Sequence, residues 1–190
     1  MPKVNYGVEP HPDPQADNGF FSDRGRVWEP FPKLSLPDDN DEQKEAWRIA
    51  ETLGRAIQYI DSRVKKHDPC NSYFRKPPKG RSFAEIWDDP DVWLNFAPKL
   101  PDWGFTRDPK DVLISKEAFK QGHLFVAATI VHELAHVGGA PGTGANPPSN
   151  AAEVALKYCL LTQQFDPNIF GVLDDFPNGP GTDSNGTATV

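Results

Sequence analysis

The chain has 190 residues, of which 37 % are apolar and 20 are proline, and a formal net charge of −7. That length suits one domain with a proper core and is short for two. There is no basic stripe for a phosphate backbone, no apolar run near the roughly 20 residues of a membrane span, and no basic-then-apolar leader. Nucleic-acid binding, membrane spanning and Sec-type export are therefore not expected, which leaves a cytoplasmic protein or one exported by a leaderless route.

Residues 1–40 hold seven prolines and few apolar clusters, so the reading is an extended or disordered arm. Over residues 41–66, Ala46, Ile49, Leu53, Ile57, Ile60 and Val64 recur at three- and four-residue spacing. They share one face of a core-packing helix, acidic at its start and basic at its end. Pro69 ends it, and a Pro-Pro-Lys-Gly turn follows at Pro77, Pro78, Lys79 and Gly80. Residues 82–108 alternate Trp87, Trp93 and Trp103 with Pro90, Pro98 and Pro101, which predicts a short helix around Phe83–Trp87 and then irregular structure. These tryptophans are expected mainly to pack, with substrate lining as the alternative. Residues 111–115 (Asp-Val-Leu-Ile-Ser) read as a short strand.

A second helix is predicted over 123–137, apolar nearly all round and stopped by Gly138 and Gly139. A Gly/Pro-rich loop at 140–148 leads to a third helix over about 150–164, and a tail without periodicity runs over 171–190. The packed domain is thus expected at 41–170. Cys70 and Cys159 are too few for a disulfide framework; one bridge and two buried thiols both fit the sequence.

The buried helix carries His132-Glu133-Leu134-Ala135-His136. Histidines four residues apart project to one side of a helix and can hold one metal ion. Glu133, one step round, can reach a water on that metal without ligating it and act as general base. Read as chance, the motif leaves two histidines beside a carboxylate buried in an apolar helix, which carries a large desolvation penalty.

At these residues the chain resembles the zincin metallopeptidases, whose shared motif is His-Glu-x-x-His. The resemblance covers 123–137 well and the following helix loosely. It implies an α+β, mostly helical, zincin-like domain: a buried motif helix, a second ligand-bearing helix and a small sheet whose edge strand aligns substrate, with residues 112–115 as the candidate edge. His132 and His136 would then be Zn²⁺ ligands and Glu133 the general base. The metzincin pattern fails, because Gly142 stands where a third histidine belongs and Met1 is the sole methionine. The deuterolysin pattern begins at Gly142-Thr143-Gly144 but has Ala145 in place of its aspartate. Gluzincin-like and ImmA/IrrE-type peptidases take the third ligand from a glutamate on the next helix, a description Glu153 meets. Asn150-x-x-Glu153 is also a capping-box pattern, so Glu153 is read as ligand first and cap second.

Asp166, Asp174 and Asp175 could reach the metal only if the later chain folds back. Tyr158 is a candidate oxyanion partner but more readily a core aromatic. His123 falls on the opposite helix face, and His11 and His67 lie outside the expected core. The leading function is a zinc metallopeptidase acting on a protein, a short peptide or a peptidoglycan stem peptide. The alternatives are a zinc-stabilised, non-catalytic binding module and an interaction protein with a degenerate site. The small size and irregular termini would also suit a delivered effector domain.

Overall fold

The structure, a computed structural model, describes residues 2–5, 41–108, 110–141 and 151–161. It is α+β and mostly helical, with one small sheet, as the sequence predicts. The first long helix, α1 (Asp41–Tyr59), runs on without a break into a π-helical turn over Ile60–Val64. Ile49, Leu53, Ile57, Ile60 and Val64 are all buried, so the predicted apolar face is the face that packs. Two short helices follow, α2 (Asp68–Phe74), with Pro69 in its first turn, and α3 (Phe83–Trp87). A capping box starts α3: Ser82 Oγ accepts from the Glu85 amide while the Glu85 carboxylate accepts from the Ser82 amide. Trp87 is buried completely, and its indole N–H donates to Asp61 at 2.6 Å, which ties α3 to the end of α1.

The segment after α3 departs from the expected irregular structure. It forms β2 (Trp93–Ala97) and β3 (Gly104–Asp108), and β3 turns back into β4 (Asp111–Ser115). With β1 (Lys3–Asn5), the sheet has the order β1-β2-β4-β3 among the described residues, parallel except for the antiparallel β3–β4 pair. Residues 3–5 pair with residues 93–95 in the sheet, and residues 6–40 of the expected arm lie outside the described residues. One expectation is corrected here. Residues 112–115 are not an edge: β4 is bonded on both sides and buried along its whole length, and β3 is the outer strand. A strand of Val, Leu and Ile with no exposed face belongs inside a sheet, where both flanks hide it from water.

Beyond β4, Ser115 caps α4 (Lys116–Lys120), which leads into the central helix α5 (His123–Val137). Nearly every residue of α5 from Phe125 to Val137 is buried, because β3 and β4 cover one side while α1, α3 and α6 (Ala151–Tyr158) cover the others. The third predicted helix is shorter than expected among the described residues. It closes at Tyr158, and Leu160 takes a left-handed backbone conformation at φ 64°. Cys70 and Cys159 are joined by a disulfide, which decides the question the sequence left open and ties α2 to the end of α6. Residues 142–150, most of the loop before α6, and residues 162–190, with the tail at 171–190, lie outside the described residues. No described helix is long and apolar enough to cross a membrane.

Candidate functional site

His132 and His136 stand on adjacent turns of α5, and their Nε2 atoms lie 3.2 Å apart. Two nitrogens each about 2.0–2.1 Å from one tetrahedral zinc ion would be separated by roughly 3.3 Å, so the pair already has the spacing of two ligands. What fixes His136 is the way the helix ends. Gly139 takes φ +95°, its amide donates to His136 O, and the Ala140 amide donates to Ala135 O, which is the Schellman arrangement. That stop returns the Ala140 carbonyl over the ring, 3.2 Å from His136 Nδ1. With Nδ1–H donating to a carbonyl, Nε2 carries the lone pair, the tautomer a metal ligand needs. Lys79 reinforces the same end by donating to Val137 O at 2.7 Å. Burial keeps both rings neutral: it pushes His132 down to about 3, with His136 adding to the effect, and lowers His136 as well.

Glu133 faces the sheet. Thr106 on β3 donates its hydroxyl to Glu133 Oε2 at 2.8 Å and lies 2.9 Å from the Glu133 carbonyl. Two residues back, Gly104 leaves room for the same carboxylate: a Cβ there would sit 2.8 Å from Glu133 Oε1 and 2.6 Å from Thr129 Cγ2. The outer strand therefore grips the side chain expected to act as base. Burial pushes Glu133 up to about 7, opposed by the Thr106 bond and assisted by the charges of Glu153 and Asp102.

Glu153 projects from the first turn of α6, is 2 % exposed, and among the described residues has no hydrogen-bond partner on either carboxylate oxygen. Its charge is felt at both Glu133 and Tyr73. The capping-box alternative rests on the amide of Asn150, which lies outside the described residues. A buried carboxylate without a donor costs free energy unless a cation or a proton satisfies it. Burial accordingly raises its own pKa.

The remaining candidates separate from this group. His123 begins α5, about two and a half turns before His132 and so on the opposite face. Tyr158 stacks on Tyr73 with ring centroids 4.6 Å apart, a packing role on α6, and His67 precedes α2. His11, Asp166, Asp174 and Asp175 lie outside the described residues, as do Gly142, Thr143, Gly144 and Ala145. Thr106 and Gly104 were not legible as site residues because their segment read as irregular. The Asp108-Pro109-Lys110-Asp111 turn between two short β-forming runs was the available hairpin signal.

Comparison with family models, with curated proteins and with solved structures finds no match. Among the described residues no group of three or more His, Cys, Asp or Glu is arranged to hold a metal ion. The expected membership of the zincin family, gluzincin-like or otherwise, is corrected on these two findings. A five-residue motif on one helix is too short to carry a family, and its likeness extends neither to a closed three-ligand set nor to the expected edge strand. What stands is the local chemistry: two neutral imidazoles at ligand spacing, a gripped carboxylate beside them and an orphaned carboxylate on the next helix.

Proposed function

We propose that this protein is a zinc-dependent hydrolase of amide bonds, a metallopeptidase in its reaction. The observation that supports this most is the 3.2 Å approach of His132 Nε2 and His136 Nε2 on a helix that also presents Glu133. His132 and His136 would hold the ion, and Glu153, buried and unpartnered, is the side chain whose charge the ion would satisfy. Zinc bound there would lower the pKa of its water to about 7 and would act as a Lewis acid for the substrate carbonyl.

The rest is the work of this chain. Glu133 takes the proton of the attacking water and delivers it to the leaving amine. Thr106 holds the Glu133 carboxylate in one orientation by donating to its Oε2. The Ala140 carbonyl keeps His136 from turning. Protein, short peptide and peptidoglycan stem peptide all offer the required amide, and the substrate is proposed only at that level.

A non-catalytic zinc module would close the ion with four protein ligands, often including cysteine. Here Cys70 and Cys159 are consumed in a disulfide, which favours the open, catalytic reading. The test is to incubate the zinc-loaded protein with a mixed-sequence peptide library and read new termini by mass spectrometry. Cleavage by the wild type that disappears in Glu133→Gln, with zinc content retained, supports the reading. Equal cleavage by both proteins overturns it.

A further inference from the structure

Helix α6 spans only eight residues, too few to persist unless docked. It brings to the core a carboxylate with no partner, placed where its charge opposes that of Glu133. Burial of Ala152, Ala155 and Leu156 favours its docking, while the buried charge of Glu153 opposes it. α6 packs chiefly on α5, and α2 adds contacts of its own. Tyr73 stacks on Tyr158 and donates its hydroxyl to Ala151 O at 2.9 Å, and Lys76 lies over both rings at 5.4 and 5.5 Å. Beyond the last turn, Cys159 is bonded covalently to Cys70, across 89 positions of sequence.

We propose that the Cys70–Cys159 disulfide is a clamp that keeps α6, and Glu153 with it, docked against α5 and α2, so that this carboxylate can join an ion held by His132 and His136 only in the oxidised chain. Both cysteines are fully buried. Exchange with small thiols therefore requires α6 to open first, which makes the bridge a lasting lock and not a rapidly cycling switch. Release is a two-electron reduction by a dithiol. One thiolate attacks a bridge sulfur, the second thiol displaces it, the reductant leaves as a cyclic disulfide, and Cys70 and Cys159 each end with a proton. A protein dependent on such a lock works where thiols are kept oxidised, outside a reducing cytosol.

The metal part of this inference rests on the zinc reading above; the docking of α6 does not. Hydrogen exchange on metal-free protein, before and after reduction by dithiothreitol, reads the docking directly. The expected result is that amides 155–161 exchange about 100-fold faster or more on reduction, while those of α1 and α5 keep their protection. Unchanged protection of α6 overturns the clamp, and so does collapse of protection throughout α1 and α5, which would make the bridge a support of the whole fold. Zinc titration of the Cys70→Ala/Cys159→Ala variant, with no reductant present, reads the site. Affinity at least about tenfold weaker than wild type is expected, and equal affinity overturns the link from bridge to site. Wild type that binds no zinc would sink the zinc reading and leave the exchange result to stand or fall alone.

Discussion

At the scale of single residues, Glu133 is held by two features of β3, a hydroxyl that donates and a missing side chain. Thr106→Val keeps the shape and removes the donor, leaving a buried carboxylate with one contact fewer. A loss of about 1–3 kcal/mol in denaturant unfolding is expected. Gly104→Ala should be worse, because the added methyl would lie 2.6 Å from Thr129 Cγ2 and 2.8 Å from Glu133 Oε1. Neither neighbour is the free end of a flexible chain: Thr129 is buried in α5, and the Glu133 carboxylate is buried and bonded to Thr106. The variant is expected to lose both stability and hydrolysis, whereas Gly80→Ala, with open space around it though φ is +62°, should lose little hydrolysis.

The protonation of Glu133 gives a further check on protein stripped of metal. Its pKa rises on folding from 4.5 to about 7, so the folded state keeps a proton that the unfolded chain has already released. Its contribution is present below pH 4.5 and is lost as pH rises through 7, a decline of up to about 3 kcal/mol. His132, depressed to about 3, acts in the other direction, adding stability as pH rises from 3 to 6.5. Because both proteins carry His132, the comparison to make is wild type against Glu133→Gln, unfolded at pH 5 and at pH 8. The gap between them should widen in favour of the Gln variant at the higher pH; a constant gap would mean that Glu133 is not buried as described.

At the scale of elements, the last turn of α5 shows how a stop signal becomes site geometry. Gly138 and Gly139 were readable as a C-terminus, and the motif as two ligands and a base. That the stop also aims the Ala140 carbonyl at His136 Nδ1 depends on the Schellman hydrogen bonds, which follow only once the helix end is built. Gly139→Ala forces a methyl-bearing residue to φ +95° beside Lys79. It should cost about 1–2 kcal/mol by thermal unfolding and weaken zinc binding as well. Zinc affinity unchanged in a destabilised variant would separate the stop from the site.

Helices were legible here because α1 and α5 repeat their apolar pattern over several turns. The strands were less so. β2 and β3 have five residues each and sit between prolines and tryptophans, so local composition masked them. The place of β4 inside the sheet was set by pairing with both of them, a long-range fact that no run of five residues contains. Glu153 was singled out by its distance from His136 along the chain, yet its burial without a donor is visible only in the fold.

For the molecule as a whole, the disulfide is the main feature the sequence left undecided. It closes a loop of about 90 residues, and chain entropy alone would make that worth about 4–5 kcal/mol. Because the bridge joins α2 to the end of α6 and is attached to neither α1 nor α5, removing it should loosen one side before the rest. Zinc, where it binds, would act in the same direction by satisfying Glu153, so the oxidised and metal-loaded protein should be the most stable form and the reduced, stripped protein the least.

The most direct measurement is zinc per chain by elemental analysis of oxidised protein purified without added metal, alongside His132→Ala and Glu153→Ala. About one zinc per wild-type chain, almost none in His132→Ala and a sharp loss in Glu153→Ala are the expected results. Wild type that holds no zinc, even when zinc is supplied, would contradict the hydrolase reading at its root, and full zinc in Glu153→Ala would remove the carboxylate of α6 from the site.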